Sequence, residues 1–171
     1  MGSNLDSAGG TRHEMLRRAA TFLGELGDVG ERRAGPGSVR LSSVWESDPL
    51  GPARYPFLNA VAEVAVPIRD QADALALLGT LKTFERSCGR EEAPVRWGPR
   101  VLDLDILDVD SLSVHTQTLI IPHPEAHCRL FVLRPLQELR PGWEHPSLGR
   151  SIDSLLRDAP PLNLRRTTLE W

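Results

Sequence analysis

The stretch "RWGPRVLDLDIL", at residues 96–107, decides how the fold of this chain is interpreted. Two aspartates, Asp103 and Asp105, stand two positions apart within a run of aliphatic residues. Side chains alternate between the two faces of a β-strand, so in a strand both carboxylates point the same way. The aliphatic residues beside them then point the other way, into a core. We therefore predict a strand over residues 101–107 with one buried face and one acidic face.

The two carboxylates of this predicted strand need a cation nearby. Their Cα atoms would lie about 6–7 Å apart, and two anions at this separation repel each other. Mg²⁺ prefers carboxylate and phosphate oxygens, while Arg90, Arg96 and Arg100 flank the pair with groups that suit phosphates. Acids for Mg²⁺ beside cations for phosphate are typical of phosphoryl transfer. The alternative stays open that the aspartates are only the polar face of a strand and the arginines only solvated surface.

The remaining pattern predicts an α+β fold, a mostly antiparallel sheet backed by helices. Apolar residues at helical or alternating spacing mark the elements. The predicted helices cover residues 14–26, 70–86 and 151–158. The predicted strands cover residues 38–47, 57–66, 101–107 and 118–121. Gly89 is placed to end the second helix, Ser151 is placed to cap the third, and residues 129–139 fit neither period clearly.

Composition limits the classes of protein that the chain can represent. Its 171 residues favour one domain, and its net charge of −3 argues against an overall basic field for nucleic acid. Two cysteines are too few for a disulfide framework or a four-thiolate metal site. The sequence shows no secretory signal and no apolar run approaching about 18 residues. We therefore expect a cytoplasmic protein that binds neither nucleic acid nor membrane.

Several motifs, in the same order along the chain, resemble those of the 6-hydroxymethyl-7,8-dihydropterin pyrophosphokinase (HPPK) family. The stretch at residues 96–107 resembles the family signature. The other matching segments are "GSNL" (2–5), "SSVWESDPLGPARYPFLNAV" (42–61), "FERSCGR" (84–90) and "IPHPEAHCRLFVLRPLQEL" (121–139). Ordered, separated motifs are far more specific together than any one alone. The resemblance implies a single HPPK-like domain over residues 1–171 with a ferredoxin-like α/β sandwich.

The resemblance also implies an ATP-dependent diphosphotransferase of folate biosynthesis. It would transfer pyrophosphate from ATP to the hydroxymethyl group of the pterin and release AMP. Two Mg²⁺ ions would be bound by Asp103 and Asp105 and would bridge the ATP phosphates. The catalytic residues would be Arg90, Arg100, Asp103 and Asp105. The ATP-binding residues would be Glu85, Arg90, Arg100, Ile106, His123 and Arg129.

The pterin site implied by the resemblance consists of Ser47, Leu50, Phe57, Asn59, Trp97 and Phe131. Phe57 and Phe131 would sandwich the flat ring, Asn59 would bind its amide edge, and Trp97 would close over the site. Phe57 and Asn59 share parity on their predicted strand, so both can face one pocket. Without the family, Phe57 and Phe131 would be ordinary core residues, and His123 an ordinary loop residue between two prolines.

The sequence departs from the family pattern at its first strand, which appears truncated because Met1 stands where that strand would end. Either the true start lies upstream or another segment fills the slot, and the C-terminal "LNLRRTTLEW" (162–171) is a candidate. Asp108 and Asp110 are predicted to be turn residues.

Two other functions are weighed against the kinase. The first alternative is a catalytically impaired relative that binds pterin and nucleotide but lacks an intact first strand. An RNA-binding module is disfavoured by the negative charge and by the lack of an aromatic recognition motif. The sequence leaves the oligomeric state open, a monomer being one option.

Overall fold

The computed structural model describes residues 1–7, 9–27, 39–49, 55–89, 100–110 and 112–171. Within these ranges the α-helices are α1 (Arg12–Gly27), α2 (Gln71–Ser87), α3 (Leu130–Leu139) and α4 (Ile152–Asp158). The strands are β1 (Gly2–Ser3), β2 (Val39–Leu41), β3 (Trp45–Ser47), β4 (Phe57–Asn59), β5 (Ala62–Val64), β6 (Val114–His115), β7 (Ile120–Ile121), β8 (Glu144–His145), β9 (Arg150–Ser151) and β10 (Leu164–Arg166). This is a mixed α+β fold, as the sequence predicts.

The main sheet is antiparallel and has the strand order β1-β4-β3-β10. In its register Phe57 is opposite Ser47, and Asn59 is opposite both Trp45 and Gly2. The other strands form two-stranded pairs, β2 with β5, β6 with β7, and β8 with β9. β4 therefore lies between β1 and β3, and its pairing with β1 brings Asn59 next to the N-terminal residues.

The three helices predicted from periodicity are confirmed, with ends that differ by one or two residues. Gly89 follows α2 with a φ of +92°, a conformation that glycine adopts without a steric penalty. Ser151 caps α4, because its side chain accepts a hydrogen bond from the backbone N–H of Ser154. The ambiguous residues 129–139 form α3, although Pro135 lies inside that helix.

The predicted strand over residues 101–107 is wrong as regular secondary structure, although its alternation is correct. Among the residues that the structure describes, one isolated bridge, between Asp103 and Gly2, pairs this segment. The next backbone N–H, that of Leu104, donates to the Glu85 carboxylate at 2.5 Å instead of to a strand. Leu102 and Leu104 are nevertheless buried, while the side chains of Asp103 and Asp105 retain 19% and 43% exposure. The segment is extended, but apart from that bridge its backbone bonds to the side chains of Ser3, Lys82 and Glu85 and to the His123 N–H.

Two other predicted strands are each divided in two. Residues 38–47 form β2 and β3, and residues 57–66 form β4 and β5. The division occurs where Ser42 and Val61 meet: the Ser42 N–H donates to the Val61 carbonyl at 3.0 Å, and the Val61 N–H donates to the Ser42 hydroxyl at 2.9 Å. The side-chain bond replaces a backbone hydrogen bond between the two strands, so both segments leave the main sheet there. Of the predicted strand 118–121, only β7 is formed.

The short first strand is present as β1, and its hydrogen bonds extend to Met1. The Met1 ammonium group donates to the Ala60 carbonyl at 2.9 Å, and the Ala60 N–H donates to the Met1 carbonyl at 3.0 Å. The C-terminal segment does form a strand, β10, but it pairs with β3 at the opposite edge of the sheet from β1. The hypothesis that this segment fills the first-strand position is therefore wrong.

The hydrophobic core lies on both sides of the main sheet. Residues of α1 and α2 pack with Leu58, Leu102 and Leu104 on one side. Residues of α3 and α4 pack with Val61 in a second cluster. Because Leu58 points towards α1 and α2, its neighbours Phe57 and Asn59 point to the other face of the sheet, towards α3. No helix in the described ranges is long and apolar enough to cross a membrane.

The burial of Leu102 generates a test of this core. Leu102→Ala removes a fully buried side chain and should lower the free energy of unfolding by about 2–5 kcal/mol, because a cavity replaces its contacts. Urea denaturation measures the loss. Leu148→Ala is the matched control, since Leu148 is 47% exposed, and it should change stability by less than about 0.5 kcal/mol. Equal stability losses in the two variants would contradict the assigned core.

Candidate active site

A cavity of about 750 Å³ opens on the face of the sheet that Phe57 and Asn59 share. Its walls come from β3, β4, the acidic segment after residue 100, the loop before α3 and the first turn of α3. Nine of the residues predicted from the sequence line it: Ser47, Phe57, Asn59, Arg100, Asp103, Asp105, His123, Arg129 and Phe131. The structure therefore brings the proposed pterin and phosphate residues to one space.

β1 is the element that sets the acidic segment beside β4. Gly2 and Asp103 exchange two backbone hydrogen bonds, with N···O distances of 2.9 and 2.8 Å. On its other edge Gly2 is in register with Asn59. The backbone N–H of Asn4 also donates to the Arg100 carbonyl at 3.0 Å, and the Asn4 side chain accepts from the Arg100 N–H at 2.6 Å. Asp103 and Asn59 thus lie on opposite edges of β1, and Gly2 stands between them.

The two aspartates face fixed cations. Arg100 forms an ion pair with one oxygen of Asp103. The Lys82 ammonium lies 3.8 Å from the other oxygen of Asp103 and 3.8 Å from an oxygen of Asp105. Opposite charges at these distances attract each other. The acidic pair therefore already faces positive charge from Arg100 and from Lys82.

Glu85 lies behind the aspartates rather than in the cavity. Its side chain is 1% exposed, and one oxygen accepts hydrogen bonds from Lys82 at 2.9 Å and from the Leu104 N–H at 2.5 Å. Ile106 packs between two core clusters and also lies outside the cavity wall. Their predicted contacts with nucleotide remain predictions. Leu50, Arg90 and Trp97, like Arg96, lie outside the described residues.

The end of the cavity that holds Ser47, Phe57 and Asn59, which are predicted to bind the pterin, is built on paired strands. The Asn59 amide nitrogen donates to the Ser47 hydroxyl at 3.0 Å, and both side chains are at least 95% buried. This bond fixes the orientation of the amide, which offers a donor and an acceptor in one plane. Phe57 and Phe131 supply apolar walls from β4 and α3.

The start of α3 contributes the second cationic region. Arg129 precedes the helix, forms an ion pair with Glu125 and lies with its guanidinium 5.7 Å from the centre of the Phe131 ring. The first backbone N–H groups of a helix carry partial positive charge and favour anions. A phosphate oxygen at this end would therefore meet both Arg129 and the helix terminus.

His123 lies in the loop between these two regions, after a cis Ile121–Pro122 peptide bond. Its backbone N–H donates to the Leu107 carbonyl at 2.8 Å, and its Nδ1 accepts from the Glu125 N–H at 3.1 Å. Because Nδ1 is an acceptor, the neutral ring carries its proton on Nε2. Burial lowers the pKa of His123 below its ordinary value of 6.5, while the charges of Asp105 and Asp103 oppose that shift.

Four further features of the site were not predicted as side-chain contributions, although the resemblance assigns the backbone from Ser47 to Leu50, which includes Asp48, to the pterin edge. Lys82 reaches the aspartates from α2, and Glu125 pairs with Arg129. Asp48 lines the cavity beside Ser47, and residues 160–162 close the wall from the C-terminal part of the chain. The Asp48 N–H donates to the Asn163 carbonyl at 3.1 Å, which holds that segment in place. No sequence motif marks residues 160–162, because their position depends on the pairing of β10 with β3.

The donor set fits Mg²⁺ bound together with a polyphosphate. Within the described ranges, no group of three or more His, Cys, Asp or Glu side chains could hold a metal ion alone. Mg²⁺ does not require such a cage, since it usually takes one or two carboxylates and completes its shell with water and phosphate oxygens. Asp103 and Asp105 would provide that pair at the cavity wall.

Comparison with known proteins gives one consistent result. A family model described as 7,8-dihydro-6-hydroxymethylpterin-pyrophosphokinase (HPPK) matches residues 1–141. The chain is 37% identical over 140 residues to the 2-amino-4-hydroxy-6-hydroxymethyldihydropteridine pyrophosphokinase of Bacillus subtilis, covering 81% of this chain and 74% of the relative. It is 39% identical over 134 residues to the enzyme of that name from Pseudomonas aeruginosa, covering 78% and 79%. The Haemophilus influenzae protein of the same name is 36% identical over 140 residues, covering 81% and 78%.

The environment of His123 generates a pH prediction. Since burial disfavours its charged form, the ring should remain neutral with its proton on Nε2 until the pH falls below 6.5. The folded state then binds fewer protons than the unfolded state. The free energy of unfolding should therefore decrease through His123 as the pH falls below 6.5. ¹⁵N–¹H NMR of the imidazole measures both tautomer and midpoint. Asp105→Asn should lower the midpoint further, and a midpoint above 6.5 would contradict the assignment.

Proposed function

The chain belongs to the 7,8-dihydro-6-hydroxymethylpterin-pyrophosphokinase family, and from this premise we propose how its cavity is divided between two substrates. Its reaction transfers pyrophosphate from ATP to 6-hydroxymethyl-7,8-dihydropterin in folate biosynthesis. The observation that carries the proposal is the single cavity that holds both an acidic pair with cations and an amide between apolar walls.

The ATP end is the side of the cavity that Asp103, Asp105, Arg100, His123 and Arg129 line. Asp103 and Asp105 would hold the two Mg²⁺ ions, which would supply neutralisation of charge on the phosphates. Arg100 and Arg129 exchange their carboxylate partners for phosphate oxygens, which accept the same planar pair of N–H donors. The Nε2–H of neutral His123 donates to a further oxygen. Arg90 is proposed for the same end on the family resemblance alone.

The pterin end is the side that Ser47, Phe57, Asn59 and Phe131 line. Phe57 and Phe131 stack on the two faces of the ring, an arrangement that adds about 0.5–1.5 kcal/mol beyond area burial. Asn59 pairs with the ring's adjacent donor and acceptor, since Ser47 already fixes its orientation. Leu50 and Trp97 are proposed to complete this end on the resemblance alone.

The chain contributes position and electrostatics rather than covalent chemistry. The pterin hydroxyl oxygen attacks the β-phosphorus of ATP and gives up its proton to water. The bond from that phosphorus to the α–β bridging oxygen breaks, and AMP leaves with the bridging oxygen. Holding both substrates in line accounts for up to about 7–11 kcal/mol of barrier lowering in favourable cases. Among the described residues of the cavity no side chain stands out as a strong general base, which agrees with phosphoryl transfer driven by placement and charge.

We propose further that residues 1–171 act as one HPPK-like domain with a ferredoxin-like sandwich. The family match ends at residue 141, but β10 pairs with β3 inside the main sheet, and α4 packs with α3 in a shared core cluster. The antiparallel order β1-β4-β3-β10 supports the sandwich. A cytoplasmic location and a monomeric state remain predictions.

The alternative of a binding-only relative was based on the truncated first strand. The backbone bonds of Met1 and Gly2 to β4 and Asp103 favour turnover, because they keep the acidic pair next to the pterin end. AMP release from ATP in the presence of the hydroxymethyl pterin separates the two functions. Pterin binding without AMP release would establish the alternative.

The metal assignment predicts the effect of removing one carboxylate. Asp103→Asn and Asp105→Asn should each lower the rate of Mg²⁺-dependent AMP release by at least about 100-fold, because charge stabilisation at the phosphates is lost. Pterin affinity, measured by calorimetry, should change by less than about threefold. Asp158→Asn is the control, since Asp158 is exposed at the end of α4 and pairs with Arg150 of β9, and it should leave the rate unchanged. Near-normal rates in either site variant would contradict the assignment.

A further inference from the structure

Lys82 is the only lysine of the chain, and it lies within the acidic site. Its ammonium group donates to Glu85 at 2.9 Å and to the Leu104 carbonyl at 3.0 Å. The same nitrogen lies 3.8 Å from one oxygen each of Asp103 and Asp105. One cation therefore faces both proposed metal ligands at equal distance.

The ammonium group is anchored from the side away from the cavity. Glu85 is 1% exposed, and a buried carboxylate is unfavourable unless it stays paired. Glu85 also accepts from the Leu104 N–H, which ties this pair to the backbone between the two aspartates. The ammonium group is thus held by the Glu85 carboxylate and by the Leu104 carbonyl, so its charge stays beside the acidic pair.

We propose that Lys82 is a positioning residue that acts as the resident cation of the Asp103–Asp105 pair and competes with a divalent ion for it. This inference rests on the proposed assignment of these aspartates as metal ligands. In the protein without nucleotide, the ammonium group offsets the repulsion between the carboxylates and makes them poor ligands for a free ion. A nucleotide triphosphate brings further oxygens and negative charge, so the ion gains ligands while Lys82 gains an anion to face.

The consequence is that the ion binds tightly only together with ATP. Removing the charge of Lys82 should therefore strengthen divalent binding to the free protein. A lysine that only neutralised Glu85 would have no such effect, because the aspartates would bind the ion independently of it. Competition with the divalent ion and neutralisation of Glu85 alone are therefore distinguished by the Mn²⁺ affinity of the nucleotide-free protein, and not by its activity.

The experiment measures Mn²⁺ binding to the nucleotide-free protein by the EPR signal of free Mn²⁺. Lys82→Gln keeps amide donors for Glu85 and the Leu104 carbonyl but removes the charge, and it should bind Mn²⁺ about tenfold more tightly, which corresponds to about 1.4 kcal/mol. Lys82→Arg keeps the charge and should stay within about twofold of the unmodified protein. With a non-hydrolysable ATP analogue present, the difference between Lys82→Gln and the unmodified protein should shrink to less than about threefold.

A second pair of variants protects the test against loss of folding. Glu85→Gln is compared with Lys82→Met/Glu85→Gln, so that no buried carboxylate is left unpaired and the two proteins differ only in the ammonium group. The double variant should again bind Mn²⁺ about tenfold more tightly than its matched single variant. Equal or weaker binding in both charge-removing variants overturns the role of Lys82.

Asp105→Asn distinguishes this failure from failure of the metal assignment. It should abolish measurable Mn²⁺ binding in the presence of the ATP analogue. If it does so while the Lys82 variants leave Mn²⁺ affinity unchanged, the aspartates are ligands and the inference on Lys82 is wrong. If Asp105→Asn binds Mn²⁺ like the unmodified protein, the metal assignment fails and the inference on Lys82 fails with it.

Discussion

The site depends on the backbone hydrogen bonds of Gly2. They bring together Asn59 and Asp103, which are about 40 positions apart in the sequence. One edge of Gly2 is in register with Asn59, and the other exchanges two bonds with Asp103. Each buried backbone group left without a partner costs about 1–3 kcal/mol, so a two-residue strand is enough to fix this alignment. The distance between the Asn59 amide, which is proposed to bind the pterin, and the acidic pair is therefore set by the single strand β1 that lies between them.

Around this alignment the site keeps its charges balanced before any substrate binds. Arg100 and Lys82 face the aspartates, and Arg129 faces Glu125. In the proposed reaction, a metal–nucleotide complex would exchange these internal partners for phosphate oxygens and divalent ions. Because the exchange replaces one set of ion pairs by another, the carboxylates and guanidinium groups need little rearrangement. Preorganised charge of this kind is the main contribution that a protein makes to phosphoryl transfer.

Alternation and local signals were enough to predict three of the four described α-helices, the burial of Leu102 and Leu104 on either side of Asp103, and the turn at Asp110, whose φ is +41°. Strand lengths could not be predicted, since they depend on partners: the segment after Asp103 is extended, but Leu104 bonds to a side chain. Lys82 could not be assigned either, because periodicity places it on a helix but does not show which loop that helix meets. The same limit applies to residues 160–162, whose contact with the cavity follows from a strand pairing more than 100 positions apart.

The most direct measurement is a crystal structure of the protein with Mg²⁺, a non-hydrolysable ATP analogue and 6-hydroxymethyl-7,8-dihydropterin. We expect oxygens of Asp103 and Asp105 to ligate the ions at about 2.0–2.1 Å, with the pterin between Phe57 and Phe131 and its amide edge on Asn59. Ions bound away from both carboxylates, with Asp103 and Asp105 still facing only Arg100 and Lys82, would contradict the account.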